Sequence, residues 1–263
     1  MSKSFAIHKM KGRTGSQDTI RVIRDVSIDI EKGSVTALIG ANGAGKTTLF
    51  NLISGLLSAE EGRITFYNQE KEYELNSLKP YEIARLGIGR MFQSPKVFEK
   101  LSILDNLMLY LGNYHIEWPF YKTFIRKSLK REYEAYKEKI LAHIAHYLGK
   151  DHAFYQDWNN PAGTLSFAEQ RILSLLGLLL GDYKLILMDE PTAGINYAFL
   201  DELKHWITLL KDEAKTVFMI EHNMDFVRDS ANLCHYMGYG KIMYSGSPEQ
   251  VLGIAEVQKE YLI

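Results

Sequence analysis

The chain has 263 residues, 46% of them apolar and 24% charged, which excludes a disordered or fibrous polymer and allows a well-buried α/β core. A formal net charge of −1 argues against a broad nucleic-acid-binding surface, and no nucleic-acid partner is expected. Cys234 is the only cysteine, which excludes an intramolecular disulfide and a cysteine-based zinc site and fits a reducing, cytoplasmic compartment.

Ser2 to Lys11 alternates polar and apolar residues instead of forming a secretory apolar run, and Phe5 to Met10 reads as a first strand. Residues 11–19 form a polar, glycine-bearing loop. Val22 to Ile30 alternates with Val26, Ile28 and Ile30 facing inward, a second strand, and Glu31-Lys32-Gly33 turns the chain into a third, Val35 to Ile39. An apolar helical pattern follows from Leu49, and Gly62 to Tyr67 is a further strand, with residues 68–80 a loop or hairpin. From Pro95 the character becomes helical: Ile103 to Leu111, then a long amphipathic pattern over Tyr121 to Leu148 stopped by Gly149. Lys122, Arg126, Lys127, Lys130 and Arg131 on that pattern read as a solvated face, since Glu132, Glu134 and Glu138 follow; an anionic membrane or partner patch is the other reading. His143 and His146 share the helix without a clear third ligand and read as ordinary helix residues. A helical run leads from Leu165 to Leu180, whose most apolar part, residues 172–180, is too short to span a bilayer. Then come a buried strand over Leu185 to Met188, a helix over Phe199 to Leu210, a buried strand over Thr216 to Ile220 and a helix over Met224 to Ala231. A hairpin turns around Gly238 and Gly240, and one or two helices occupy Glu249 to Ile263.

The stretch Gly40-Ala41-Asn42-Gly43-Ala44-Gly45-Lys46-Thr47-Thr48 lies between a short apolar strand and an apolar helix. That context makes its G-x-x-x-x-G-K-[ST] pattern a phosphate-binding loop. The glycines let successive N–H groups point at phosphate oxygens, and the helix that follows turns its positive end to the same anion. Lys46 supplies a point charge for β- and γ-phosphates and Thr47 a hydroxyl for Mg²⁺. Such a loop needs a carboxylate at the end of a neighbouring buried strand for the Mg²⁺ shell, and Asp189 is placed for it. Glu190, one residue on, is placed to deprotonate an attacking water. Gln93 carries a neutral amide able to bond a Mg²⁺-bound water, although by itself it reads as a surface glutamine in a turn, and Ser166 heads a helix whose N-terminus can receive an anion and which its hydroxyl can also cap. His222 follows a buried strand, as a γ-phosphate contact must.

Taken together the chain resembles the nucleotide-binding subunit of an ABC transporter over nearly its whole length. GANGAGKTT resembles Walker A, LILMDE Walker B, Gln93 the Q-loop glutamine, His222 the switch histidine and Thr192 to Asn196 the D-loop. LSFAEQR, Leu165 to Arg171, stands where the family signature belongs. The resemblance implies a P-loop NTPase α/β core with an antiparallel β edge and a helical subdomain. As a single ABC ATP-binding domain it would have its core at 1–94 and 166–263 and its helical lobe at about 95–165. It implies ATP and Mg²⁺ as ligands, with the loop residues Gly40 to Thr48, Ser166 and Ala168 at nucleotide, and Thr47, Gln93 and Asp189 at the metal. Lys46, Gln93, Glu190 and His222 would be catalytic. Ser166 would meet a γ-phosphate held by a second subunit, identical or not, so that two Mg-ATP are sandwiched in a head-to-tail dimer. The dimer would dock on membrane permease subunits at the inner, cytoplasmic face of the cell membrane.

The AGIN stretch with Asn196 in the usual aspartate's place, EHNM after the switch strand, the closing segment from Gly246 and the long lobe resemble the ATP subunits of branched-chain amino-acid importers. Lipopolysaccharide-export ATPases stand second. A soluble ABC-type ATPase acting as scaffold or regulator remains the alternative outside transport. Two positions depart from the family. Phe167-Ala168 replaces Gly-Gly in the signature. If that backbone needs positive φ, the methyl of Ala168 costs on the order of 1 kcal/mol and would slow hydrolysis, at the extreme leaving a module that dimerises but barely turns over. The loop 11–19 also lacks the aromatic expected to stack on adenine, leaving Met10, Arg13 or Ile20 as alternatives to pack on the base.

Overall fold

The computed structural model describes residues 5–7, 20–69, 71–111, 126–195 and 197–261. Met10, Arg13, the loop 11–19, the helix start at 121–125 with Lys122, and Asn196 lie outside them, as do the side chains of Ile20, Arg126, Lys127 and Lys130. The chain divides into two units, one drawn from residues 1–90 and 184–263, the other from residues 91–183.

In chain order the first unit begins with β1 (Phe5–Ile7), β2 (Ile20–Ile23), β3 (Val35–Ile39), α1 (Lys46–Ile53), β4 (Thr65–Asn68), β5 (Lys71–Glu74), α2 (Pro80–Arg85) and β6 (Ile88–Met91), at whose last residue the second unit starts. The second unit carries α3 (Ile103–Met108), α4 (Arg126–Leu148), α5 (Ala153–Gln156) and α6 (Phe167–Leu180). The chain then returns to the first unit with β7 (Leu185–Asp189), α7 (Tyr197–Asp212), β8 (Thr216–Ile220), α8 (Met224–Ser230), β9 (Leu233–Gly238), β10 (Lys241–Gly246), α9 (Pro248–Leu252) and α10 (Ala255–Tyr261).

Six strands form the main sheet in the order β10-β9-β3-β8-β7-β6. β3 runs parallel to β8 and β9, β8 parallel to β7, and β10 closes one edge antiparallel to β9. All five residues of β3 and of β8 are buried, the continuous apolar run expected of strands covered on both faces. Phe50 of α1 packs on Phe218 of β8 with ring centroids 5.0 Å apart, and Leu38, Leu187 and Ile220 join the same core. The α/β P-loop core with an antiparallel edge is thus present. β1 with β2 and β4 with β5 add two small antiparallel pairs.

The strand expected over 22–30 is shorter: β2 covers Ile20–Ile23 and the chain beyond it joins no strand. Val26 is nonetheless buried, and Ile28 and Ile30 pack on the same core. Alternating burial needs only an extended backbone against a core, so the period-2 pattern was real although no ladder follows. β6 was not foreseen, because four residues with a glycine and an arginine among them make a weak strand signal.

In the second unit, Ser102 caps α3 by accepting a hydrogen bond from the Asp105 N–H. The buried Asn106 side chain accepts from the Phe98 N–H at 2.8 Å and donates to the Ser102 carbonyl at 2.9 Å, pinning the loop before α3. The long α4 buries Ile140 and Ile144, while Arg131, Glu132 and Glu134 are exposed. His143 packs from α4 with Nε2 3.3 Å from the Leu176 carbonyl, and burial, the largest influence, pushes its pKa down to about 4. Between pH 6.5 and pH 4 the unfolded chain therefore takes up a proton that the folded one refuses, and stability falls as pH drops through that window. We predict that His143→Gln removes part of the acid-induced loss, at most on the order of 3 kcal/mol, read as the difference in urea midpoint between pH 7.5 and 4.5.

Candidate functional site

The phosphate-binding loop starts where β3 ends. Gly40 has φ 145, and a Cβ there would lie 2.0 Å from the Met237 carbonyl oxygen of neighbouring β9, so only glycine lets the two backbones pass. Gly45, with φ 108, is the N-cap of α1 and supplies no side-chain cap. The first-turn N–H groups of α1 lack intrahelical acceptors by geometry, and the loop offers them to an anion. Lys46 is buried, and its Nζ donates to the Gly40 carbonyl and, at 3.0 Å, to the Ala41 carbonyl. Burial lowers its pKa, against the opposing charges of Glu190, Glu260 and Asp189. Thr47 is exposed at the start of the helix. An exposed hydroxyl there and a carboxylate at a neighbouring strand end are hard oxygen donors suited to Mg²⁺. Among the described residues no three His, Cys, Asp or Glu gather to hold a metal by themselves.

Asp189 ends β7 with its side chain 3% exposed, and its Oδ2 lies 3.5 Å from Nη2 of Arg90, itself 7% exposed. Burial raises the Asp189 pKa and the Arg90 charge acts against it. Arg90 also donates through Nη1 to the Ser54 hydroxyl at 2.6 Å. Glu190 sits just past the strand with φ 52, a left-handed conformation uncommon for a residue with a side chain. Its N–H donates to the Ile220 carbonyl at 2.9 Å, and its Oε1 lies 3.4 Å from His222 Nε2. Burial, then Lys46, lower the His222 pKa, while Glu190 and Glu260 raise it. The ends of β3, β7 and β8 therefore bring Lys46, Asp189, Glu190 and His222 into one charged cluster.

Four residues of this neighbourhood were not foreseen. Arg90 is one. Glu221, between β8 and His222, is 1% exposed, and its carboxylate accepts from the Thr192 N–H and hydroxyl, both at 2.8 Å, from the His222 N–H at 3.0 Å and from the Asn223 N–H at 3.2 Å. Tyr261, at the end of α10, accepts the Gly40 N–H at 2.6 Å through its hydroxyl. Glu260 beside it accepts from the Tyr236 hydroxyl. Glu221 had the same signal as Asp189, a carboxylate closing an apolar run. Tyr261 and Glu260 had none, since no local pattern says where a terminal helix docks.

In the second unit, Gln93 has its carbonyl oxygen 3.2 Å from Nη1 of the buried Arg171, which donates to it. Ser166 is the N-cap of α6: its hydroxyl accepts from the Glu169 N–H and donates to Glu169 Oε2, while Glu169 accepts the Ser166 N–H, a reciprocal capping box. Ala168 falls in the first turn of that helix and outside the residues with positive φ. Its methyl therefore carries no backbone penalty here. Phe167 is exposed.

Among the helices described, none is long and apolar enough to cross a membrane. Residues 23–193 match the family model described as ABC transporter. The chain is 31% identical over 245 residues to a probable branched-chain amino acid transport ATP-binding protein LivG of Archaeoglobus fulgidus, covering 93% of this chain and 91% of that one. It is 30% identical over 248 residues to the lipopolysaccharide export system ATP-binding protein LptB of Haemophilus influenzae, covering 92% and 91%. The fold superposes with a TM-score of 0.75 on a crystal structure of an ATP-binding cassette of an ABC transporter in its ADP conformation, at 28% identity, covering 99% of this chain and 97% of that one. The motifs, the strand-end cluster and these likenesses agree, and the chain belongs to the ABC transporter family as an ATP-binding, ATP-hydrolysing cassette.

Proposed function

We propose that the chain acts as one ATP-binding domain that binds Mg-ATP, dimerises around two nucleotides and hydrolyses them to drive membrane permease subunits from the inner face of the cell membrane. Lys46 and the amides of Gly40 to Thr48 hold the phosphates. Thr47, Gln93 and Asp189 serve Mg²⁺, which when bound neutralises charge on the β- and γ-oxygens. Glu190 takes the proton of the attacking water and His222 steadies the γ-phosphate. Ser166 and Ala168, at the start of α6, meet the nucleotide of the second subunit. The observation that supports this most is the meeting of Lys46, Asp189, Glu190 and His222 at the ends of three strands, a positive group, two carboxylates and an imidazole within one charged neighbourhood. Phosphoryl transfer needs mainly such positioning and charge stabilisation.

For cargo, the 31% identity to a branched-chain amino-acid transport protein supports an importer of that kind. The 30% identity to a lipopolysaccharide-export protein supports the second reading almost as well. The test is affinity purification of this chain from mildly solubilised native membranes, with mass spectrometry of what stays bound. Polytopic membrane proteins in fixed ratio are the expected result, and their identity separates import from export. Recovery only with soluble proteins would replace this reading with the scaffold or regulator.

A further inference from the structure

We propose that Glu221 is a positioning residue for hydrolysis, a clasp that holds the loop after Glu190 and the loop carrying His222 in one geometry. The inference rests on Glu190 and His222 acting as described above. Glu190 and His222 stand on separate loops, one after β7 and one after β8, yet their side chains meet at 3.4 Å. Backbone pairing joins those loops through the bond from the Glu190 N–H to the Ile220 carbonyl. The Glu221 carboxylate adds two bonds to Thr192 on the first loop and two to the backbone of His222 and Asn223 on the second. The Ala193 N–H donates to the Glu190 carbonyl at 3.1 Å, closing the turn that contains Thr192 and making Glu190 and Thr192 move together. An ionised carboxylate has about four acceptor sites and no donor, and here four donors converge on it. Burial raises the Glu221 pKa, and the four donated hydrogen bonds oppose that shift.

Glutamine at 221 has nearly the same shape but one acceptor oxygen, and its own N–H₂ would face other N–H groups. The clasp would loosen while β8 and the phosphate loop keep their packing. Displacements of about 1 Å at reacting groups cost on the order of a hundredfold in rate. Glu221→Gln is therefore expected to lower kcat ten- to a hundredfold while the KM for ATP stays within about threefold. In a His222→Ala background, where the pair is already lost, the same substitution should lower the residual rate by less than about threefold, because residues acting as a unit are not additive. A merely structural Glu221 would cost the same factor in both backgrounds. If Glu221→Gln does not fold, Thr192→Val removes one of the four bonds and keeps the Thr192 N–H; it should lower kcat about three- to tenfold with KM unchanged. Native-like kcat in Glu221→Gln or in folded Thr192→Val, or an equal loss in both backgrounds, would overturn the proposal while leaving the assignment of Glu190 intact. If instead Glu190→Gln hydrolyses like the native chain, the underlying reading fails and this proposal falls with it.

Discussion

Glu190→Gln is expected to keep ATP binding and to lose turnover by on the order of a thousandfold, the range over which a positioned general base contributes. The amide keeps the size of the side chain and can still accept from His222, so the site should remain assembled. What it loses is the ability to take a proton from water. Glu190 adopts φ 52, a conformation that most residues with a side chain avoid, and strain of that kind clusters at functional sites. Steady-state and single-turnover hydrolysis, with nucleotide affinity measured alongside, check this. In the presence of Mg-ATP the variant should also accumulate as a dimer, because it binds nucleotide without consuming it. Native turnover in Glu190→Gln would remove Glu190 from the role.

Asp189→Ala should damage both chemistry and stability. Its carboxylate and the Arg90 guanidinium are 3% and 7% exposed. Removing one partner of a buried ion pair costs about 3–5 kcal/mol. Chemical denaturation should show that loss as a lower midpoint without nucleotide present, so the effect is separable from metal binding. Replacing both partners, Arg90→Met with Asp189→Leu, should recover most of the stability and none of the turnover. A loss below about 1 kcal/mol in Asp189→Ala would mean the pair contributes little to the fold.

Much of the candidate site could be read one residue at a time. The phosphate loop is a local object: three glycines, a lysine and a threonine between strand and helix carry their chemistry in their own spacing. Asp189, Glu190 and His222 were legible because each follows an apolar run, and such a run ends at the edge of a buried parallel sheet. Other features depended on which segments meet. β6 was too short to announce itself, so Arg90 was passed over although it faces Asp189. The alternation from Val26 to Ile30 marked which residues face the core, and it could not say whether a neighbouring strand would pair with them.

The sequence by itself determined the P-loop α/β class and the residue types that phosphate chemistry requires. These follow from local periodicity and from short motifs, whose physics reaches only a few residues along the chain. Tertiary structure alone decided the rest: that Ala168 lies outside the residues with positive φ, that Glu221 gathers donors from two loops, and that the Tyr261 hydroxyl accepts the Gly40 N–H. Each depends on backbone conformation or on partners far apart in sequence. Gly40 and Tyr261 are separated by 221 positions, a distance over which no periodicity carries information.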